Sequence, residues 1–228
     1  MSLLNSIRND IKAALKRDPA AHGALEVILA YPGFHARQLH RLAHTLHNTG
    51  VPVVPRVIAH FSRLITGIEI HPGAVIGEGL FIDHGMGVVI GETAIIGDNC
   101  QLTQGVTLGG TSTRREKRHP TLLEGVEVGA GAKVIGAVTL GEYCRIGAGS
   151  VVVTSVPAYA TVVGVPGHVV AYYDPGNGTT VRLPDPEWDR IDELTSKLED
   201  LRSRVAELEA ELNEHSAAIT GHGPLTGV

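Results

Sequence analysis

From Ile70 to Val152 an apolar branched side chain returns at every sixth position. The first run is Ile70, Ile76 and Ile82. After a slip of two residues it resumes at Ile90, Ile96, Leu102 and Leu108. Beyond an interruption it continues at Leu122, Val128, Val134, Leu140, Ile146 and Val152. Helices repeat every 3.6 residues and strands every two, so neither explains a period of six. Gly follows the apolar residue at Gly77, Gly91, Gly97, Gly109, Gly129, Gly141 and Gly147. Such a hexapeptide period predicts a parallel β-helix, with one short strand and one turn per repeat. The second inward position, four residues on, reads Ala74, Leu80, Met86, Ala94, Cys100, Val106, Ala132, Val138, Cys144 and Ser150. A β-sandwich would need period-two alternation and turns at longer spacing, and the regularity of six argues against it.

The flanks carry other periods. Leu3, Leu4, Ile7, Ile11 and Leu15 share one helical face, and Asp18-Pro19 ends that helix because the residue before proline avoids helical angles. Further helices are expected over 20–30, 34–48 and about 55–64, with Tyr31-Pro32-Gly33 as a turn and Gly50 as a stop. His35, His40, His44, His47 and His60 fall on these helices as exposed positions or interhelical packing. Residues 174–187, rich in Pro, Gly, Asn and Asp, are expected to form a linker. Ile191, Leu194, Leu198, Leu201, Val205, Leu208 and Leu212 then alternate at spacings of three and four, an a/d heptad seam. The fold class is α+β. An α-helical domain (1–66) precedes the β-helix (67–173), the linker, a coiled-coil helix (188–214) and a Gly-rich flexible tail (215–228).

Composition narrows the class. A net charge of −5 over 228 residues argues against a nucleic-acid binder that relies on counterion release. No apolar run is long enough to span a bilayer. The first fifteen positions, broken by Arg8, Asp10 and Lys12, lack a signal-peptide core, which leads us to expect a cytoplasmic protein. Both cysteines sit at inward repeat positions, where a thiol packs as a small apolar group and makes neither a disulfide framework nor a convincing nucleophile.

The flat faces of such a prism pack threefold, so ligand sites are expected in clefts between chains. Residues that break the repeat are candidates to line them: Glu69 and His71 around Ile70, the pair Asp83-His84, Gly109-Gly110, and Arg118-His119 at the end of a polar, basic loop from Thr111. A histidine beside a carboxylate is a general base near neutral pH. Backbone N–H groups of a Gly-Gly pair can stabilise an oxyanion. Arg114, Arg115, Lys117 and Arg118 could meet phosphates or a carboxylate. Together these point to acyl transfer from a phosphate-bearing carrier to an alcohol. Set against that, Asp83-His84 could merely cap a coil, and the loop could be a solvated surface loop. Direct transfer without a covalent enzyme intermediate follows from the buried cysteines.

These residues carry a resemblance. The chain resembles the bacterial serine O-acetyltransferases, left-handed β-helix enzymes of cysteine biosynthesis, over about residues 8–170. The marks are Arg17-Asp18-Pro19-Ala20, Gly33-Phe34-His35-Ala36, Ile70-His71-Pro72-Gly73-Ala74, Asp83-His84, Val89-Ile90-Gly91-Glu92-Thr93-Ala94, Gly105-Val106-Thr107-Leu108-Gly109-Gly110, Lys117-Arg118-His119-Pro120 and Gly129-Ala130-Gly131-Ala132-Lys133-Val134. The resemblance implies acetyl-CoA and L-serine as substrates, no metal, and L-cysteine as feedback inhibitor. It implies His84 as general base and His119 as a second active-site histidine. Asp18 and Asp83 would hold the serine ammonium, and Arg118 its carboxylate. Gly110, Ala130 and Ala148 match backbone positions along the coenzyme A groove. The carboxylate partner of the base, usually Asp, is here Glu69, longer by one methylene. The helical domain is shorter than in hexameric relatives, so a homotrimer is expected before a hexamer. The heptad seam, not a usual family feature, then reads as a three-stranded parallel coiled coil. The tail Leu225-Thr226-Gly227-Val228 resembles those that dock into O-acetylserine sulfhydrylase, with Val in place of the usual Ile. Other readings are a hexapeptide enzyme with a homoserine or sugar acceptor, a γ-class carbonic anhydrase, whose His-x4-His pair is missing, and a non-enzymatic trimeric scaffold. Asp18, Asp83 and Arg118 suit an amino acid, and a sugar needs none of them.

Overall fold

The computed structural model describes residues 3–183 and 186–220. Four helices come first: α1 (Leu3–Arg17), α2 (Ala24–Ala30), α3 (Pro32–Asn48) and α4 (Val54–Thr66). α1 stops where Asp18-Pro19 predicts. α2 begins later than expected, because Asp18 organises the next residues as a turn: its carboxylate accepts the Ala20 N–H (2.8 Å) and its carbonyl that of Ala21 (3.2 Å). The expected turn at Tyr31-Pro32-Gly33 shrinks to Tyr31 alone, since proline's fixed φ suits the first turn of α3. Gly33 lets that turn approach the solenoid, for a Cβ there would collide with Ile82.

Polar groups bolt the helices to the repeat domain. Arg37 donates to the carbonyls of Ile76 (3.0 Å) and Gly77 (2.8 Å), and His44 donates to that of Pro72 (2.7 Å). Arg41 pairs with Asp10 at 2.6 Å, and Ser6 donates to Glu78 at 2.7 Å. His40 is only 3 % exposed and stacks on His44. These histidines are therefore packing residues.

The solenoid follows the predicted register. One face stacks β1 (Glu69–Ile70), β4 (Val89–Ile90), β7 (Thr107–Gly109), β10 (Lys133–Ile135) and β13 (Val151–Val152). The second stacks β2 (Val75–Ile76), β5 (Ile95–Ile96), β8 (Thr121–Leu122) and β11 (Thr139–Leu140). The third stacks β3 (Phe81–Asp83), β6 (Gln101–Thr103), β9 (Glu127–Val128), β12 (Arg145–Ile146) and β14 (Ala160–Val163). Neighbours pair in parallel with register residue on register residue, as in Ile70 on Ile90, Ile90 on Leu108, Leu108 on Val134 and Val134 on Val152. All register side chains except the half-buried Ile76 are buried in one continuous core. Each is worth roughly 1.5–3 kcal/mol. One inward position was misplaced by the sequence reading. Met86 is 69 % exposed and Val88 is buried instead, because the two-residue slip lengthens that corner and carries the inward direction along.

Two antiparallel strands, β15 (His168–Asp174) and β16 (Thr179–Arg182), close the third face. β16 lies within the stretch 174–187 that was expected to be linker. Residues 184–228 form a separate unit, in which α5 (Pro186–Thr220) carries the heptad residues from Ile191 to Leu212, all exposed on the single chain. α5 continues through 215–220, which were expected to begin the flexible tail; the segment 221–228 ending in Val228, expected to dock a sulfhydrylase, lies outside the described residues. Among the described residues no helix is long and apolar enough to cross a membrane.

Burial, with the nearby Arg37 charge, drives the His40 pKa from 6.5 down to about 3. The unfolded chain takes up a proton that the folded chain refuses, so stability falls as pH drops from 6.5 towards 3. Melting temperature plotted against pH should be shallower over that window in His40→Leu than in the parent protein.

Candidate active site

The residues singled out by sequence gather at two corners of the prism, one at each end of the first face. The corner entering that face lies between β3 and β4. Asp83 ends β3, and His84 follows with φ +58°, a left-handed angle that turns the chain sharply and projects the imidazole outward. His84 is 73 % exposed at its side chain, and its Nε2 lies 3.9 Å from Asp83 Oδ1. Asp18 reaches the same corner from the turn after α1, close enough for His84 to act on its charge. The Tyr31 hydroxyl donates to Asp18 Oδ2 at 2.5 Å. That bond, then the Ala20 N–H, holds the Asp18 carboxyl below its usual range, and the phenol is pushed up to about 12 chiefly by the same bond.

Turns of later coils stack along this corner. The Gly105 N–H donates to the Met86 carbonyl, Gly131 to Gln104, and Gly149 to Ala130, at 2.8–2.9 Å. Ala130 is half-buried and Ala148 exposed on this edge. Gly131 and Gly149 adopt positive φ, and space beside each is open where a side chain would project. The corner is thus a smooth gutter of backbone.

The corner leaving the first face holds His71, Glu92, Thr93, the loop after Gly109, Arg118 and His119. Arg118 is paired with Glu92 at 2.5 Å. Burial works against the Glu92 carboxylate, but Arg118, His71 and His119 together keep its pKa below the ordinary value. Thr93 organises the end of the loop: its hydroxyl oxygen accepts the N–H of Arg118 (3.0 Å) and of His119 (3.1 Å). The Thr93 N–H donates to His119 Nδ1 at 3.2 Å, and the hydroxyl lies 2.9 Å from the same nitrogen. Nδ1 is therefore the acceptor, and a neutral His119 carries its proton on Nε2 as a donor. Burial, then Arg118, lowers the His119 pKa and favours that neutral form. Gly91 is required beneath the ring, for a Cβ there would run into it. Burial, then Arg56, takes the His71 pKa down to about 4, and His71 Nδ1 accepts the Gly73 N–H at 3.0 Å.

Three sequence readings change here. Lys117 does not offer its charge to a ligand: its ammonium donates to the carbonyls of Thr93 (2.8 Å), His119 and Pro120 (3.1 Å), clamping the loop shut. Glu69, expected beside His84, instead pairs with Arg63 of α4 at 3.2 Å, and no hydrogen bond joins it to His84 among the described residues. Gly110 lies with the Arg118–His119 cluster, where a Cβ would come within 3.1 Å of the His119 ring, so it stands on the opposite corner from Ala130 and Ala148. Sequence reasoning missed the parts played by Tyr31, Glu92 and Thr93. Their only signal was their place in the quoted motifs or at a turn. The cysteines stay out of the chemistry, burial pushing Cys100 up to about 11 and Cys144 to about 12.

Residues 119–154 match the family described as bacterial transferase hexapeptide (six repeats), and residues 1–39 match serine acetyltransferase, N-terminal. A serine acetyltransferase of Synechococcus elongatus is 52 % identical over 210 residues, covering 87 % of this chain and 85 % of that one. The solved serine acetyltransferase of Neisseria gonorrhoeae in complex with serine is 42 % identical, with a TM-score of 0.72 over 74 % of this chain and 69 % of that one. Serine acetyltransferase structures in complex with cysteine and with CoA, each 41 % identical, align over 73 % of this chain and 69 % of theirs with TM-scores of 0.72 and 0.70.

The Lys117 clamp has a direct readout. Lys117→Met should speed amide hydrogen exchange at Arg118 and His119 by about tenfold, the scale of one charge-assisted hydrogen bond lost, while leaving exchange in β4 and β7 unchanged.

Proposed function

The chain belongs to the serine acetyltransferase family, and on that premise we propose how its own residues transfer an acetyl group from acetyl-CoA to the hydroxyl of L-serine. His84 takes the hydroxyl proton as the serine oxygen attacks the thioester carbonyl. The C–O bond forms and the C–S bond then breaks. The proton passes from His84 to the departing CoA sulfur, giving O-acetylserine and free CoA. No step uses a metal or a covalent enzyme intermediate. Asp18 and Asp83 hold the serine ammonium, and Arg118 faces its carboxylate. His119, donating from Nε2, serves the developing oxyanion. The gutter past Ala130 and Ala148 takes the extended coenzyme arm, with the backbone of Gly110 facing it from the other corner. Glu69, on the adjoining strand, orients the base only once its carboxylate exchanges Arg63 for the His84 imidazole. The observation that carries this reading is the His84 corner, where an exposed imidazole shares one spot with two carboxylates.

The two clusters stand on different corners of one prism, which supports a shared site: the His84 corner of one chain meets the Arg118 corner of its neighbour. A closed threefold ring of such contacts makes a homotrimer, with three sites between chains. Exposed apolar stripes support the same assembly. Val57, Phe61, Leu64 and Ile65 on α4 and the heptad seam of α5 are exposed on the single chain. The seam of three chains then makes a parallel coiled coil. L-cysteine, which shares the ammonium and carboxylate of serine, competes for the Asp18, Asp83 and Arg118 contacts and acts as feedback inhibitor. A homoserine or sugar acceptor is not favoured.

His84→Ala should lower kcat in a thiol-release assay by roughly two to four orders of magnitude, with KM for acetyl-CoA unchanged; near-parent turnover in a folded variant rules out His84 as the base. Glu69→Gln should cost less, since it only orients the base. Ending the chain after Leu183, which keeps the β15–β16 hairpin, should leave a trimer in sedimentation with a lower Tm; a monomer would mean that α5 is what assembles the protein.

A further inference from the structure

Asp18 sits in a turn, outside any helix, and something must aim it. Its two carboxylate oxygens are held one apiece, Oδ1 by the Ala20 N–H at 2.8 Å and Oδ2 by the Tyr31 hydroxyl at 2.5 Å. Each oxygen keeps a second lone pair for a ligand. We propose that Tyr31 is a positioning residue for the acceptor amino acid: its hydroxyl fixes the Asp18 carboxylate against the Asp83–His84 corner and so sets the grip on the acceptor's ammonium. This rests on the reading of Asp18 as an ammonium contact.

Three features make Tyr31 suited to the task. Its ring is anchored, packing beside Ile11 and Phe34 against the buried cluster of Ala14, Val27 and Phe81, while its polar end stays free to bond. Its backbone is fixed as well. Tyr31 caps α2 and precedes Pro32 of α3, and α3 is pressed onto β3, the strand that carries Asp83, through Gly33 and Ile82. Finally, a phenol is a neutral donor. A Lys or Arg in its place would hold Asp18 equally well, but its charge would cancel the carboxylate and repel the incoming ammonium. The opposite corner shows the contrast, where Arg118 is paired with the full charge of Glu92.

The charges around the pair are Asp83 on β3, His84 at the corner, and Glu26 on α2. Asp83 and Glu26 disfavour ionisation of the phenol, which stays a donor. Burial tends to push a proton onto Asp18; the Tyr31 bond outweighs that and keeps Asp18 charged as pH falls.

The test is steady-state kinetics of the full-length protein, with serine and acetyl-CoA varied separately across the acid range, for Tyr31→Phe, Asp18→Asn and the double variant. Tyr31→Phe should raise KM for serine about tenfold, the size of one hydrogen bond to a charged group. Its kcat and its KM for acetyl-CoA should not change. The acid limb of kcat/KM for serine should move to higher pH, because Asp18 without its donor takes up a proton more readily. In the Asp18→Asn background, Tyr31→Phe should add nothing, whereas a merely structural tyrosine would subtract equally in both. If Asp18→Asn raises KM for serine while Tyr31→Phe moves neither KM nor the acid limb, or if the two losses add, the inference about Tyr31 is overturned and the reading of Asp18 stands. If Asp18→Asn leaves KM for serine unchanged, the reading of Asp18 falls and the inference with it.

Discussion

One branched apolar side chain per hexapeptide, stacked directly on its counterpart in the next coil, is the interaction on which the rest of the molecule leans. A strand of two or three residues makes too few hydrogen bonds to persist alone. It persists here because each coil lays its strands in parallel on the coil below, and the register residue shuts out water at every level. Slipping one strand by a residue would turn its apolar side chain outward and bring a polar one in. The core therefore enforces register all along the axis, and the three faces stay flat.

That rigidity decides where chemistry can go. Inward positions are committed to the core and strand residues to the ladder, which leaves the corners. At one corner His84 takes a left-handed angle, with Asp83 on the strand before it and Asp18 arriving from the helical domain. At the other, Thr93 and Lys117 tie a loop down until Arg118 and His119 stand beside Glu92. A single chain presents the two halves facing apart. The threefold arrangement proposed above lets each chain supply both halves to two different sites, so that assembly and catalysis become one requirement. The N-terminal helices then have a second task beyond packing, since α1 and α3, bolted down by Arg37, Arg41 and Ser6, fix the depth at which Asp18 arrives.

Much of this could be read in the sequence because it is local and periodic. The period of six located the strands, and proline and glycine located most helix ends. Met86 and Val88 show where periodicity fails: a two-residue slip changes which side chain points inward, and only the path of the corner says which. The site was legible as residue types, less so as partnerships. Arg118 with Glu92, Thr93 with His119 and Tyr31 with Asp18 join residues far apart in the chain, brought together by stacked coils or docked helices. Lys117 stood out as a charge in a basic run, yet its three acceptors are backbone carbonyls, which have no sequence signature. Glu69 was legible as a carboxylate at the family's position before Ile70-His71-Pro72, but its pairing with Arg63 depends on how α4 lies on β1.

The loop between β7 and β8 leaves the solenoid and returns without disturbing it. Leu108 still stacks on Val134, and Ile96 on Leu122, as if no residues had been inserted. The cost of such an excursion is mainly loop-closure entropy, which grows only with the logarithm of length, about 0.6 kcal/mol per doubling. Its length and content can therefore drift over generations at little cost to the scaffold, while its last residues stay tethered to Thr93 and Glu92. With Arg118 in the role proposed above, a new acceptor preference can arise here by insertion and deletion, a route closed to most active sites, where changing the length of the chain means changing the fold.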